Sequence, residues 1–263
     1  FGRFNNYFPL YLESCRFNPT IDWMIFTDDK RDFDYPNNVQ VNYFSFEAFK
    51  DIIQHNYDFR ISLKNPYRLC NFRPAFGDIF RDYIKDFDFW GYCDNDIIWG
   101  NIRNFLSDEI LDNYNRIFEF GHLSLIRNLP KYNEYYKFND AYKLAFAEDY
   151  NLLFFDELGF TDIWRRKDEK IYRHNSIADF NPRQYNFKLN KGCTINENYN
   201  TRHIYSWDKG KLVRHYVTEK GMETEDVMYI HFLKRNMFIN ENFNYKDSYV
   251  IVPNEFVNLK NVT

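Results

Sequence analysis

Apolar runs in this chain stop abruptly at short polar stretches that carry acidic residues. "IDWMIFTDD" (21–29) reads as a buried strand running into an acidic loop. "VQVNYFSF" (39–46) alternates as a half-buried strand does. "SFEAFKDIIQHN" (45–56) then opens an amphipathic helix, with Ser45 as N-cap and Glu47 in the first turn. "RPAFGDIFRDYIKDF" (73–87) has helical spacing with Pro74 in its first turn, and "FDFWGYC" (87–93) is the next strand. Strands alternating with helices predict an α/β fold, an open sheet with parallel strands flanked by helices. Past residue 180 the pattern turns β-rich. "HIYSWDKGKLVRHYV" (203–217) predicts a hairpin turning at Asp208-Lys209-Gly210, and "DVMYIHFLK" (226–234) a further strand. Such a sheet ordinarily begins with an apolar strand, whereas Phe1 starts in what reads as the loop after one. The expectation is that an N-terminal strand precedes this numbering.

The stretch that raises a chemical question is "DFWGYCDNDIIWGNI" (88–102). An apolar run ends in Asp94-Asn95-Asp96 and apolar residues resume at once. Residues i and i+2 of a strand share a side, and open α/β sheets gather ligands at the carboxyl ends of their strands. Asp94 and Asp96 are therefore expected to face one hard cation, Mn²⁺ or Mg²⁺, whose remaining positions substrate phosphates fill. The alternative is a solvated turn. An EF-hand is excluded, because the later ligands and the glycine of that loop are absent.

Composition narrows the classes. The net charge of −4 argues against a nucleic-acid binder, which needs a basic face. No apolar run approaches the ~20 residues of a membrane span, and "FGRFNNYF" lacks a signal-peptide layout. Cys15, Cys70, Cys93 and Cys193 are scattered without a C-x-x-C pair and read as reduced thiols of a cytosolic protein. The 29 Phe and 22 Tyr fit an AT-rich genome, and flat rings also suit stacking on sugars. With no repeat and no linker, 263 residues predict one large domain.

"NPYRLCNFRPAFGDIFRDYIKDFDFWGYCDNDIIWGNIRNF" (65–105) resembles bacterial GT-A-type glycosyltransferases of capsule and lipopolysaccharide gene clusters. It is distantly similar to the glycogenin-like and lipooligosaccharide galactosyltransferase families. The resemblance runs from "FGRFNNYFPLYLESCRFNPTIDWMIFTDD" (1–29) to "YIHFLKRNM" (229–237), most of the chain. It implies a GT-A (Rossmann-like) fold, with 1–110 a nucleotide-sugar-binding half and 111–263 carrying the acceptor side and a C-terminal metal and diphosphate segment.

Carried over residue by residue, the resemblance implies that Asp94 and Asp96 are the metal motif and that His231 in "IHFLKR" is a further ligand. Lys234 then falls where those families place a lysine on the diphosphate, although their continuation with Gly and Lys-Pro-Trp is missing here. Arg235 is the alternative phosphate partner. Asp28 and Asp29 are implied at the uridine, or else form an acidic turn. Arg68, Asn71 and Arg73 occupy the stretch facing the donor sugar, with Asn71 standing where an Asp is expected. His122, Ser124 and Arg127 of "FEFGHLSLIRN" (118–128) are implied beside donor and acceptor sugars. Asp156 and Glu157 of "LLFFDELGF" (152–160) are the second acidic element, a general base if the enzyme inverts. Trp90, Trp99 and Trp207 are candidates for stacking on sugar faces, or for core packing.

The function these features imply is metal-dependent transfer of a hexose from a nucleotide sugar, UDP-galactose or UDP-glucose, to a glycan or lipid-linked glycan acceptor. The expected location is the cytoplasm, with contact at the inner face of the cell membrane. Two rivals remain in view. A carbohydrate-binding module needs the aromatics but not the metal. A haloacid-dehalogenase-type phosphohydrolase also uses D-x-D, but expects it earlier and with Thr or Val where Ile98 stands.

Overall fold

The computed structural model describes residues 1–147, 154–174, 176–180 and 202–259. It is a mixed α/β fold with several separate sheets and a β-rich C-terminal part. The chain forms two compact units, each woven from more than one segment: Phe44–Asp94 and Asp108–Arg173 with Phe1, and Gly2–Tyr43, Asn95–Ser107 and His174–Thr263.

The first unit is built on a four-stranded sheet in the order Phe89–Cys93, Leu123–Arg127, Arg116–Ile117, Ile171–Tyr172. Directly paired residues present side chains to the same side. Tyr92 opposite Ser124, and Trp90 opposite Ile126 opposite Arg116, therefore line one buried face. The helix Phe46–Gln54 begins as the pattern predicts, with Ser45 Oγ accepting from the Ala48 amide at 3.2 Å. The expected single helix over 73–87 is instead three short turns, Arg73–Ala75, Phe76–Ile79 and Arg81–Ile84. The break falls at Phe80, whose buried ring stacks on Phe49 at 5.5 Å. Tertiary packing overrides helix propensity there.

Among the described residues the second unit holds three sheets. Trp23–Thr27 and Val39–Tyr43 pair in parallel, as the first-hundred-residue pattern suggests. Ile97–Trp99, Tyr229–His231 and Ile177–Asp179 form a three-stranded sheet whose central strand is antiparallel to the first and parallel to the last. Six strands of the C-terminal part make the largest sheet. Its hairpin His203–Asp208/Lys211–Thr218 turns at the predicted place, where Lys209 and Gly210 both take positive φ. Tyr7, Ile98, Phe180, Tyr205, Trp207, Ile230 and Phe256 belong to one core cluster beneath these strands.

One expectation needs correction, and the choice between sugar stacking and core packing for the tryptophans falls to the core. One strand was expected to deliver both carboxylates to one side. The strand instead ends at Cys93 and the next begins at Ile97 in a different sheet, so Asp94-Asn95-Asp96 is the connection and the period of two does not govern it. The three tryptophans do not offer faces to sugars. Trp90, Trp99 and Trp207 are at most 5% exposed, and the Trp207 indole donates to the Trp99 carbonyl at 2.9 Å. Cys15, Cys70 and Cys93 are in no disulfide, and Cys193 lies outside the described residues. Among the described residues no helix is long and apolar enough to cross a membrane.

Candidate functional site

In the second unit the parallel register sets His231 beside Asp179, because the two are direct partners in adjacent strands. Both are buried, and His231 Nδ1 lies 2.7 Å from Asp179 Oδ1. A carboxylate there fixes the proton on Nδ1 and makes Nε2 the electron-pair donor, the arrangement typical of metal-ligating histidines. Nε2 is turned toward Asp96, 3.4 Å from its Oδ1. Two ligand atoms at right angles on a small octahedral ion stand about 3 Å apart, so the pair fits a shared divalent cation. Among the described residues, Asp96 and His231 are members of one set of side chains that could hold a metal ion, and Asp179 and His231 of another.

Asp96 is itself held in place. Its other oxygen, Oδ2, accepts from the Lys234 amide at 2.6 Å, and its carbonyl accepts from the Phe232 amide at 2.9 Å. The turn that brings this amide round puts Leu233 and Lys234 at φ of 49° and 61°. Left-handed backbone at two consecutive non-glycine residues is costly and clusters at functional sites. The Lys234 side chain is exposed. Arg235 is 5% exposed, its Nη1 donating to Asn254 at 2.9 Å and its guanidinium over the Phe180 ring. Burial lowers its pKa. Of the two basic candidates for a phosphate, Lys234 faces solvent and Arg235 packs inward.

The first unit holds an arginine between carboxylates. Arg73 Nη2 pairs with Asp94 Oδ1, and Nη1 lies 3.3 Å from Asp156 Oδ2 while also donating to the Gly121 carbonyl. Burial opposes the charge of Arg73, but Asp94 and Asp156 more than offset it and hold the pKa above its ordinary value. Asp156 and Glu157 lie on the π-turn Phe155–Gly159, entered through Phe154 at φ 46° and fixed by the Phe155 amide on Asn71 Oδ1 at 3.3 Å. Such turns recur at functional positions. Burial pushes Asp156 up to about 6, with Arg73 opposing the shift and Glu157 adding to it. Glu157 Oε1 accepts from the Gly121 amide at 2.9 Å. Any side chain at 121 would crowd both carboxylates: a Cβ there would lie 2.6 Å from Glu157 Oε1 and 3.2 Å from Asp156 Oδ2.

The remaining sequence candidates are bound into their own units. Arg68 is buried and donates to the Ser62 and Ala145 carbonyls at 2.7 and 3.4 Å. Ser124 Oγ donates to the Phe118 carbonyl and accepts from Arg116 Nε. Arg127 donates to Asn115 and to the Leu111 and Asp112 carbonyls. These contacts give the three residues structural work. His122 is buried with its ring stacked on Phe120 at 5.0 Å, and its carbonyl accepts from the Asp94 amide at 3.1 Å. Asp28 Oδ1 accepts from the Gly2 amide at 2.7 Å. Asp29 is clasped by Arg31 and by the Phe4 amide, which hold its pKa well below the carboxylate range. Gly2, Arg3, Asp28, Asp29, Lys30 and Arg31 line a shallow hollow in the second unit.

Asp179, Gly121 and Tyr92, whose hydroxyl donates to the Asp156 carbonyl at 3.2 Å, were not among the sequence candidates. Asp179 had a signal: "SIADF" is another short apolar run ending in a carboxylate, the feature that singled out Asp94 and Asp96. A family model described as "Family of unknown function (DUF6625)" matches residues 1–260. No curated protein and no solved structure matches the chain.

Proposed function

The chain belongs to the DUF6625 family, and we propose that it is a metal-dependent glycosyltransferase of GT-A type. The reaction is transfer of a hexose from a nucleotide sugar to a hydroxyl of a surface-polysaccharide or lipopolysaccharide precursor. It takes place in the cytoplasm, at the inner face of the membrane. The observation that carries this reading is the line Asp179–His231–Asp96, a carboxylate-oriented imidazole aimed at a second, amide-anchored carboxylate.

In this reading Asp96 and His231 would hold Mn²⁺ or Mg²⁺. Asp94 is the further ligand that the sequence resemblance implies. The ion, when bound, supplies Lewis-acid stabilisation to the departing diphosphate. The exposed ammonium of Lys234 adds a second positive charge where the leaving group gathers negative charge. Asp156, raised to about 6, is poised to take a proton from the acceptor hydroxyl near neutrality. Arg73 holds it in place and keeps a fraction ionised.

The test is incubation with Mn²⁺ and a panel of nucleotide sugars, reading nucleoside diphosphate release with and without glycan acceptors. Asp96→Asn should abolish release and leave the fold intact. Full turnover in that variant removes the metal reading. Thermal shift separates the rival binding module: Mn²⁺ plus UDP should stabilise a transferase by mass action and leave a lectin unchanged.

A further inference from the structure

Arg116 takes no part in either cluster, yet it is 0% exposed. It lies on the buried face of the first unit's sheet, with its guanidinium 4.6 Å from the Phe160 ring centroid and 5.8 Å from that of Trp164. Both rings belong to the helix Phe160–Arg166. Nε donates to Ser124 Oγ at 3.1 Å. Among the described residues Nη1 and Nη2 have no acceptor in hydrogen-bonding geometry, although the Tyr92 hydroxyl attracts the guanidinium. A guanidinium cannot shed its proton in a protein, and an enclosed charge without a counter-ion is strongly unfavourable.

The neighbouring groups do not supply the missing negative charge. Burial pushes the Tyr92 phenol up to about 12 even though Arg116 draws it down, so it is neutral at physiological pH. Glu119 attracts Arg116, but it is clasped by Arg173 through two 2.8 Å bonds and approached by Arg165 at 3.7 Å. The Ser124 proton goes to the Phe118 carbonyl.

Two polar atoms on the helix covering Arg116 can donate and have no partner among the described residues. They are the buried Trp164 Nε1 and Thr161 Oγ1. Asn71 Nδ2, elsewhere in the same unit, is a further buried donor without an acceptor. A water molecule placed among donors brings two more hydrogens that need acceptors. A monatomic anion brings acceptor capacity alone, together with the charge that Arg116 lacks.

We propose that the first unit binds a small monovalent inorganic anion, of chloride size, against Nη1 and Nη2 of Arg116, with the Trp164 indole and the Thr161 hydroxyl as further donors. The anion ties the strands carrying Arg116 and Ser124 to the Phe160–Arg166 helix. That helix continues directly from the π-turn bearing Asp156 and Glu157, so anion occupancy steadies that turn. The inference is independent of sugar transfer.

The experiment uses the whole chain. Melting temperature is followed as chloride or bromide replaces gluconate at constant ionic strength, and crystals grown in bromide are measured for anomalous scattering. Saturable stabilisation by the halides and a bromide peak at the Arg116 terminal nitrogens are expected. Trp164→Phe keeps the aromatic packing but removes the N–H, and should weaken apparent halide affinity about tenfold or more. Arg116→Met should abolish the halide response. If that variant does not fold, the wild-type bromide peak decides. Identical melting in halide and gluconate, or bromide confined to the surface with water at Arg116, overturns the proposal.

Discussion

His231 Nδ1 and Asp179 Oδ1 stand 2.7 Å apart because residues 229–231 and 177–179 pair in parallel with these two as register partners. The contact is thus written into the sheet, and it fixes the imidazole with Nε2 as the electron-pair donor, as the proposed metal ligation requires. Removing an outer-shell carboxylate of this kind typically costs 10–100-fold in metal affinity. Asp179→Asn should therefore weaken Mn²⁺ binding, followed by calorimetric titration, by about that factor while secondary structure is retained. A titration that overlays wild type would show that the carboxylate does not orient the ring.

Asp156 predicts a pH signature in stability. Its folded pKa of about 6 lies above the ordinary carboxylate value of 3.8. A raised pKa means the folded state binds the proton more tightly, so this group's contribution is fully present below about pH 4 and is lost as pH rises through about 6. The shift of roughly two units corresponds to about 3 kcal/mol. The difference in unfolding free energy between wild type and Asp156→Asn should change by about that amount between pH 4 and 7. A difference that stays flat would mean that burial does not hold the proton.

The same group predicts an acid limb in turnover. A base must be ionised, so transfer should rise with pH to a plateau, with a midpoint near 6. In Asp156→Asn the limb should vanish together with most of the rate. A midpoint near 4 would assign the base to another carboxylate.

How much of this was visible in the sequence depends on how local each signal is. The Ser45 cap, the turn at Lys209-Gly210 and the strand ending at Cys93 rest on a few neighbouring residues, and the structure has all three. The break at Phe80 was hidden because it answers to a ring 31 positions earlier in the chain. Arg68, Ser124 and Arg127 are implied beside the sugars by the sequence resemblance, whereas the backbone carbonyls they bond cannot be read from spacing. Asp179 was overlooked although its signal was present, since a single carboxylate after three apolar residues stands out only when the strand beside it is known.

Gly121 predicts a tight steric limit. Its missing side chain lets the Glu157 and Asp156 carboxylates approach its backbone, and a Cβ would meet Glu157 Oε1 at 2.6 Å. Gly121→Ala should displace the π-turn and destabilise the fold by about 1–3 kcal/mol, the usual cost of overpacking. Denaturant midpoints read the loss, and Glu157→Ala in the same background should restore part of it. No recovery would place the strain elsewhere.

Lys234 separates backbone from side chain. Its amide holds Asp96 Oδ2 at 2.6 Å with φ at 61°, while its ammonium is the group assigned to the leaving diphosphate. Lys234→Gly keeps the amide and relieves left-handed strain worth about 1 kcal/mol, partly offset by the greater freedom of glycine in the unfolded chain. Lys234→Ala keeps the amide and the strain. If the ammonium serves the diphosphate, both variants should lose transfer equally, although the glycine protein is the more stable, and both should bind Mn²⁺ as wild type does. Were only the alanine variant impaired, the backbone geometry at Asp96 rather than the charge would be what transfer requires.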